Sequence, residues 1–210
     1  MVGIVFATHR EAKALLDRSK AVAMSQRPFP LYRIQPGQST SCLVIISGMG
    51  KVSAAMAASY LVMGRQATML ISAGLCGRLR VEPSWQVGDL FRITHAVEGD
   101  CDRMGKPETP VACGGKWFAR FPKARLVTCD RPVFDAGWRS RLATLGDLAD
   151  MEGAAVARVA SSLDSTCAMI KGISDTADND GRRAVTENID WVATRIARAL
   201  MEEIGTMRFG

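Results

Sequence analysis

The chain has 210 residues, of which 48% are hydrophobic, 23% charged and 6% aromatic. This composition excludes an intrinsically disordered chain, and the length favours one globular domain over residues 1–210 that buries roughly 70% of its unfolded surface. The apolar runs are far shorter than the roughly 20 residues that a membrane helix needs, so we expect no membrane span.

Lysine and arginine outnumber aspartate and glutamate by 27 to 21, a formal net charge of +6. The excess favours anionic ligands, but the basic residues are dispersed and no nucleic-acid-binding motif occurs, so no nucleic-acid partner is expected. The six cysteines lie far apart without a Cys-x-x-Cys pair, which indicates reduced thiols and no metal site. The first residues form an apolar segment with no basic leader, so we expect a cytoplasmic protein.

Short apolar runs alternate with amphipathic segments through the chain, which predicts an α/β fold. In the first half, Val2 to Ala7 predict a strand, and Ala12, Leu15 and Leu16 share one face of a following helix. The remaining predicted elements of this half are strands at 28–35 and 42–47 around a turn at 36–39, and a helix at 51–62.

The second half continues the alternation and ends in an amphipathic helix. Its predicted elements are a strand at 67–73 ended by Gly74 and Gly77, strands at 88–97, 124–128 and 166–174, a helix at 150–161, and a closing helix whose apolar stripe begins at Ile189. Residues 100–123 lose the alternation and predict a long loop or lid, a kind of segment that often carries function.

Two segments imitate ligand-binding loops. Residues 47–53 follow a strand and open a helix, as phosphate-binding loops do, but Val52 follows the lysine where a P-loop has Ser or Thr, and Ser53 replaces the third glycine of a dinucleotide fingerprint. Residues 176–187 imitate the spacing of a calcium loop but start with Thr176 and follow a predicted strand where a helix is required. A tight turn and a solvated acidic turn are the favoured interpretations.

Three acidic residues lie at the ends of predicted elements. Glu11 and Glu152 fall in first helical turns and Asp175 follows a strand. Taken singly, each has a structural explanation, because carboxylates favour helix N-termini and turns. Ligands of open α/β sheets collect beyond the carboxyl ends of the strands, however, so we consider the three acids together as a candidate site.

Five motifs in order give the chain a resemblance to the nucleoside phosphorylase and nucleosidase superfamily. It is most similar to the methylthioadenosine/S-adenosylhomocysteine nucleosidase branch, and the form of residues 130–133 and 150–152 also resembles hopanoid-associated nucleosidases. The motifs are EAKALL at 11–16, SGMGKVSAA at 47–55, GLCGRL at 74–79 with VGD at 87–89, DMEGAA at 150–155, and ISD at 173–175.

The resemblance implies a three-layer α/β sandwich with a central mixed β-sheet, and cleavage of an N-glycosidic bond without a metal or other cofactor. It implies that Asp175 is the general acid toward a purine base, that Glu152 binds the ribose hydroxyls and that Glu11 orients or deprotonates water. It also implies self-association as a dimer or a larger homo-oligomer. The residues it implies for substrate binding are Met151, Ser174, Gly74, Leu75, Val133 and Phe134.

The residues at two positions favour water as the nucleophile. Phosphorolytic members of the family carry an arginine where Ser72 stands and a serine where Leu75 stands, both to hold phosphate. We therefore expect a hydrolase acting on a purine nucleoside, with a 5′-modified adenosine as the favoured substrate. The alternatives are a phosphate-dependent phosphorylase, in which Arg10 or another cation would rebuild an anion site, and a catalytically silent nucleoside sensor.

Overall fold

The computed structural model describes residues 1–35, 41–101, 104–105 and 109–206. In chain order its elements are β1 (Val2–Phe6), α1 (His9–Arg18), β2 (Val22–Ser25), β3 (Leu31–Ile34), β4 (Cys42–Ile46), α2 (Lys51–Ser59), β5 (Met69–Arg78), β6 (Leu90–Glu98), β7 (Val111–Ala112), β8 (Lys123–Thr128), α3 (Ala136–Leu142), β9 (Leu148–Asp150), α4 (Gly153–Ser162), β10 (Thr166–Asp175) and α5 (Gly181–Gly205). A π-helical turn at Tyr60–Gly64 extends α2. The predicted turn at 36–39 lies outside the described residues.

The strands form one mixed sheet that closes on itself at one end. Strands β2, β3, β4, β1 and β5 follow one another, and β5 then pairs with both β9 and β10, so that β5, β10, β6, β8 and β9 form a ring. Strands β1, β4, β5 and β10 are parallel, whereas β9 runs antiparallel to β5. The carboxyl ends of the parallel strands therefore meet at one edge, and the end of β9 reaches the same region from the opposite direction.

Helices cover the sheet on two sides, which confirms the predicted three-layer α/β architecture. Helices α1 and α5 pack against each other on one side, and α2 and α4 on the other. Every residue of β1 and β4 is buried, as expected for strands covered on both faces. The buried face of α2 consists of Ala54, Ala57 and Ala58, and these small side chains allow it to approach α4 closely.

Strand β5 is longer than the sequence predicts. The expected end before Gly74 is wrong, because β10 pairs with β5 from Met69 to Gly77, and β9 pairs with Gly77 and Arg78. Glycine is needed at these positions: a Cβ on Gly77 would lie 2.9 Å from Oδ1 of Asp175.

Other boundaries also differ from the prediction. The helix predicted from residue 150 starts only at Gly153, because Asp150 is the last residue of strand β9. Strand β2 and helix α3 were not predicted, and the expected loop at 100–123 contains the short strand β7, which pairs with β6. No helix among the described residues is long and apolar enough to cross a membrane.

Candidate active site

The three acidic residues predicted from sequence converge on one cavity of about 420 Å³. Glu11, Glu152 and Asp175 all contribute to its wall. Of the predicted substrate-binding residues, five also line it, namely Leu75, Val133, Phe134, Met151 and Ser174. Gly74 is not among the lining residues: it lies on β5 behind Leu75, where a Cβ would come within 2.9 Å of Oε1 of Glu11. Its role in this fold is therefore to leave room for that carboxylate.

Glu11 is fixed by the start of helix α1. Thr8 caps the helix: its hydroxyl oxygen accepts the backbone N–H of Glu11 at 3.3 Å and its own backbone N–H donates to Oε2 of Glu11 at 2.9 Å, which forms a capping box. The Thr8 hydroxyl also donates to Oε2 at 2.9 Å. The backbone N–H of Leu75 donates to Oε1 at 3.2 Å. A carboxylate has about four acceptor positions, so these three donors leave one position for a further ligand.

Asp175 ends strand β10 and is buried. Its Oδ1 accepts the backbone N–H of Ala177 at 2.8 Å, and its Oδ2 lies 2.7 Å from the Ser174 hydroxyl. That hydroxyl also lies 3.2 Å from the carbonyl oxygen of Cys76. Ser174 can thus donate to the ionised carboxylate, or accept from the protonated form while it donates to Cys76. Burial raises the pKa of Asp175, against the opposing effect of these hydrogen bonds.

Glu152 reaches the cavity between β9 and α4. Its Oε1 accepts the backbone N–H of Gly50 at 2.8 Å, which ties it to the start of α2. Burial and the neighbouring Asp150 raise the pKa of Glu152 to about 8, while Lys171 and the Gly50 N–H oppose the shift. A hydrogen-bond donor from a ligand would favour the ionised form of this carboxyl.

A buried ion pair next to the three acids was not predicted from the sequence. Nζ of Lys171, on β10, lies 2.8 Å from Oδ2 of Asp150, and both side chains are almost completely buried. Asp150 also accepts the Thr128 hydroxyl and the backbone N–H of Gly153. Burial opposes the charge on Lys171, but Asp150, Glu152 and Glu11 outweigh it and raise the pKa of Lys171. A lysine within an otherwise apolar strand is the sequence signal that would have indicated a paired charge.

One part of the cavity wall, next to Asp175, is largely apolar. It contains Val133 and Phe134, and Gly181 packs so closely that a Cβ there would lie 2.5 Å from Cδ1 of Phe134 and 3.3 Å from Oδ1 of Asp175. The guanidinium of Arg182 lies 5.9 Å from the centre of the Phe134 ring. This wall offers an apolar surface beside the buried carboxyl of Asp175.

Two positions considered for phosphate binding do not supply a cation to the cavity. Ser72 is buried within β5, and the Arg10 guanidinium makes two hydrogen bonds to Asp190 at 2.9 and 2.8 Å. Neither residue lines the cavity. No cluster of potential metal ligands occurs among the residues that the structure describes.

Solved structures of nucleosidases share this fold. A putative 5′-methylthioadenosine/S-adenosylhomocysteine nucleosidase from Francisella philomiragia superposes with a TM-score of 0.91 at 21% identity, over 98% of this chain and 99% of that one. S-adenosylhomocysteine nucleosidase from Streptococcus pyogenes gives 0.89 at 22% identity, over 99% and 97%. Futalosine hydrolase from Helicobacter pylori gives 0.90 at 16%, over 98% of this chain and 99% of the other.

No curated protein sequence matches this chain. The family model described as the phosphorylase superfamily, in contrast, matches residues 1–204, which is nearly the whole chain. The family predicted from the five sequence motifs is therefore confirmed. The chain belongs to the phosphorylase superfamily, and it is an enzyme of the class that includes N-ribosyl hydrolases and nucleoside phosphorylases.

Proposed function

We propose that this protein is a nucleosidase that hydrolyses the N-glycosidic bond of a purine nucleoside, with a 5′-modified adenosine as its substrate. The observation that carries the proposal is the convergence of Glu11, Glu152 and Asp175, each with different hydrogen-bond partners, on one cavity. Cleavage of a glycosidic bond places positive charge on the sugar and negative charge on the leaving group. Carboxyl groups in distinct environments meet both needs.

In this proposal Asp175 supplies the proton to the departing base. A general acid must keep its proton near neutral pH, and the raised pKa of Asp175 favours the protonated form. The neighbouring wall with Phe134 would hold the flat base. As the bond to the anomeric carbon breaks, the proton of Asp175 passes to a ring nitrogen of the base, and the bonding electron pair leaves with the base.

The two glutamates act on the sugar side. Glu152 accepts hydrogen bonds from the ribose hydroxyls, and its negative charge stabilises the oxocarbenium-like sugar in the transition state. The free acceptor position of Glu11 takes a proton from water as the water oxygen attacks the anomeric carbon. The products are the free base and the sugar with a new hydroxyl group.

The charges around the cavity favour water over phosphate as the nucleophile. Four carboxyl groups line it, those of Glu11, Asp150, Glu152 and Asp175. The buried ammonium of Lys171 is already paired with Asp150. Arg182 also lines the cavity, but its guanidinium lies beside Phe134 on the wall assigned to the base. A phosphate dianion at the sugar would therefore come close to the carboxylate of Glu11, and neutral water avoids that repulsion.

The 5′-modified adenosine is favoured by the ligands of proteins with the same fold. One neighbouring structure, from Helicobacter pylori, holds 5′-methylthioadenosine in its active site, and the S. pyogenes enzyme holds 5-methylthiotubericidin. The cavity of about 420 Å³ lies within the usual range for small-molecule sites. Adenosylhopane-type substrates, with a bulky apolar 5′ group, belong to the same chemical class.

The test is base release from methylthioadenosine, adenosine and inosine, each with and without inorganic phosphate. Release that does not depend on phosphate is expected. Strict phosphate dependence would instead establish phosphorolysis with a ribose 1-phosphate product. Asp175→Asn should lower kcat by about 100-fold or more while the protein still binds the nucleoside, because the amide keeps the shape but has no acidic proton.

A silent nucleoside sensor is the remaining alternative, and the same variant distinguishes it. A sensor would bind the nucleoside with no turnover in either the wild-type protein or Asp175→Asn. The matched control is Asp164→Asn, which changes an exposed carboxyl in the turn before β10 that does not line the cavity.

A further inference from the structure

Lys51 lies outside the cavity and joins three carboxylates from separate segments. Its Nζ lies 3.1 Å from Oε2 of Glu98, 2.6 Å from Oδ1 of Asp100 and 3.2 Å from Oδ2 of Asp130. The lysine side chain is only 14% exposed. Glu98 ends strand β6, and the other two partners lie in the loops that follow β6 and β8. One ammonium group therefore holds the start of α2 against the ends of two strands of the ring.

The same start of α2 holds a predicted catalytic carboxylate. Gly50 precedes Lys51 directly, has a positive φ of 94° that favours glycine, and donates its N–H to Oε1 of Glu152 at 2.8 Å. The position of this N–H depends on where the first turn of α2 lies relative to the sheet. Among the described residues, no side-chain cap holds this helix start, because the N-cap residue is a glycine.

We propose that Lys51 is a positioning residue for the sugar-binding carboxylate: by anchoring the first turn of α2 to Glu98, Asp100 and Asp130, it fixes the Gly50 N–H that orients Glu152. This inference rests on the proposed function of Glu152. The mechanism gives Lys51 no contact with substrate, so its effect passes through Gly50. Without the ammonium, Glu98 keeps the guanidinium of Arg158 at 3.2 Å, Asp100 and Asp130 repel each other, and the helix start loses the ion pairs that hold it.

The experiment compares Lys51→Met with wild type on two substrates, adenosine and 2′,3′-dideoxyadenosine. Because the dideoxy sugar has no hydroxyls for Glu152 to bind, mispositioning of Glu152 should cost less on that substrate, where only the charge of Glu152 still acts on the sugar. We expect kcat/KM for adenosine to fall about 10- to 100-fold in Lys51→Met, which is roughly the penalty that a small misplacement of a catalytic group causes. The fall for the dideoxy nucleoside should be at least about fivefold smaller. An equal loss on both substrates would overturn the proposal.

Two variants separate positioning from a general loss of charge or stability. Lys51→Arg keeps the cation and should restore most of the adenosine activity. Lys13→Met removes a lysine whose ion pair with Asp17 is exposed on α1, and it should leave kcat/KM unchanged. Full activity in Lys51→Met, or no rescue by Lys51→Arg in a protein with wild-type thermal stability, would contradict the positioning role.

A second measurement does not depend on turnover. Urea unfolding of Lys51→Met, Glu152→Leu and the double variant tests whether the two positions are coupled, because leucine has no oxygen to accept the Gly50 N–H. If Lys51 holds the Gly50–Glu152 hydrogen bond in place, the losses in unfolding free energy should be non-additive. Additive losses would overturn the inference. Failure of the wild-type protein to release base from any nucleoside would refute the proposed function instead, and this cycle would still decide the link between Lys51 and Glu152.

Discussion

Replacing Lys171 by methionine tests the buried ion pair beneath the acids. The methionine fills much of the volume of the lysine but leaves the carboxylate of Asp150 with only neutral donors, the Thr128 hydroxyl and the Gly153 N–H. Both charged side chains are almost completely buried at 2.8 Å, so the remaining charge has little access to water. Removing one partner of such a pair costs about 3–5 kcal/mol of unfolding free energy. For a chain of this size, the loss corresponds to a drop in Tm of roughly 6–20 °C.

The assay is urea unfolding of wild type, Lys171→Met, Asp150→Asn and the double variant. The double variant should be more stable than Lys171→Met by more than about 1 kcal/mol, because it removes the unpaired charge that the single variant leaves behind. A double variant no more stable than Lys171→Met would refute the reasoning, and so would a single variant as stable as wild type.

Three further predictions follow from individual residues. Because folding raises the pKa of Glu152 from 4.5 to about 8, protonation of Glu152 favours the folded state, and the wild-type protein should lose stability as the pH rises from about 5 to 8. Glu152→Gln should remove that loss. Parallel curves of Tm against pH for wild type and Glu152→Gln would contradict the prediction. Gly181→Ala should raise KM for nucleosides several-fold, because the new Cβ would displace the Phe134 ring. Gly137→Ala is the control and should leave KM unchanged, because the nearest atom to its Cβ, Oδ1 of Asp135, is 3.4 Å away. Equal KM values for the two variants would contradict the prediction. Self-association remains a proposal, and Met56, which is 59% exposed on α2 beside other exposed apolar residues, should lie in the contact between subunits. Met56→Glu should therefore lower the molecular mass measured by light scattering. An unchanged mass would argue against that surface.

The central strands and the order of the layers could be predicted because their signals are local. β1 and β4 are short apolar runs bounded by polar residues and turns, and the structure places them close to the predicted positions. β5 was predicted too short because glycine usually ends a strand. Here the glycines at 74 and 77 belong to the strand, since carboxylates from other elements occupy the space that a side chain would need. That reason is long-range and leaves no trace in the local pattern.

The candidate site shows the same division between local and long-range information. Glu11, Glu152 and Asp175 were predictable from motifs at the ends of their elements, and the structure brings them to one cavity. The partner of Lys171 was not predictable from spacing alone. Asp150 lies in a three-residue strand, although the sequence predicted the start of a helix there. The two residues come together only because the sheet closes through β9 and β10.

The buried lysine also distinguishes the surroundings of the three acids. The ammonium of Lys171 lowers the pKa of Glu152, and the carboxylates of Asp150 and Glu11 in turn raise the pKa of Lys171. The pKa of Asp175 is raised by burial, and the hydrogen bonds from Ser174 and the Ala177 N–H oppose that rise. Glu11 and Glu152 therefore share a nearby cation, and Asp175 is stabilised in its ionised form only by neutral hydrogen-bond donors. Burial raises the pKa of Glu152, to about 8, as well as that of Asp175, so position decides which of the two is assigned as general acid in the proposed mechanism. Asp175 lies beside the Phe134 wall that would hold the base, whereas Glu152 lies near Lys171 and would face the positive charge that develops on the sugar.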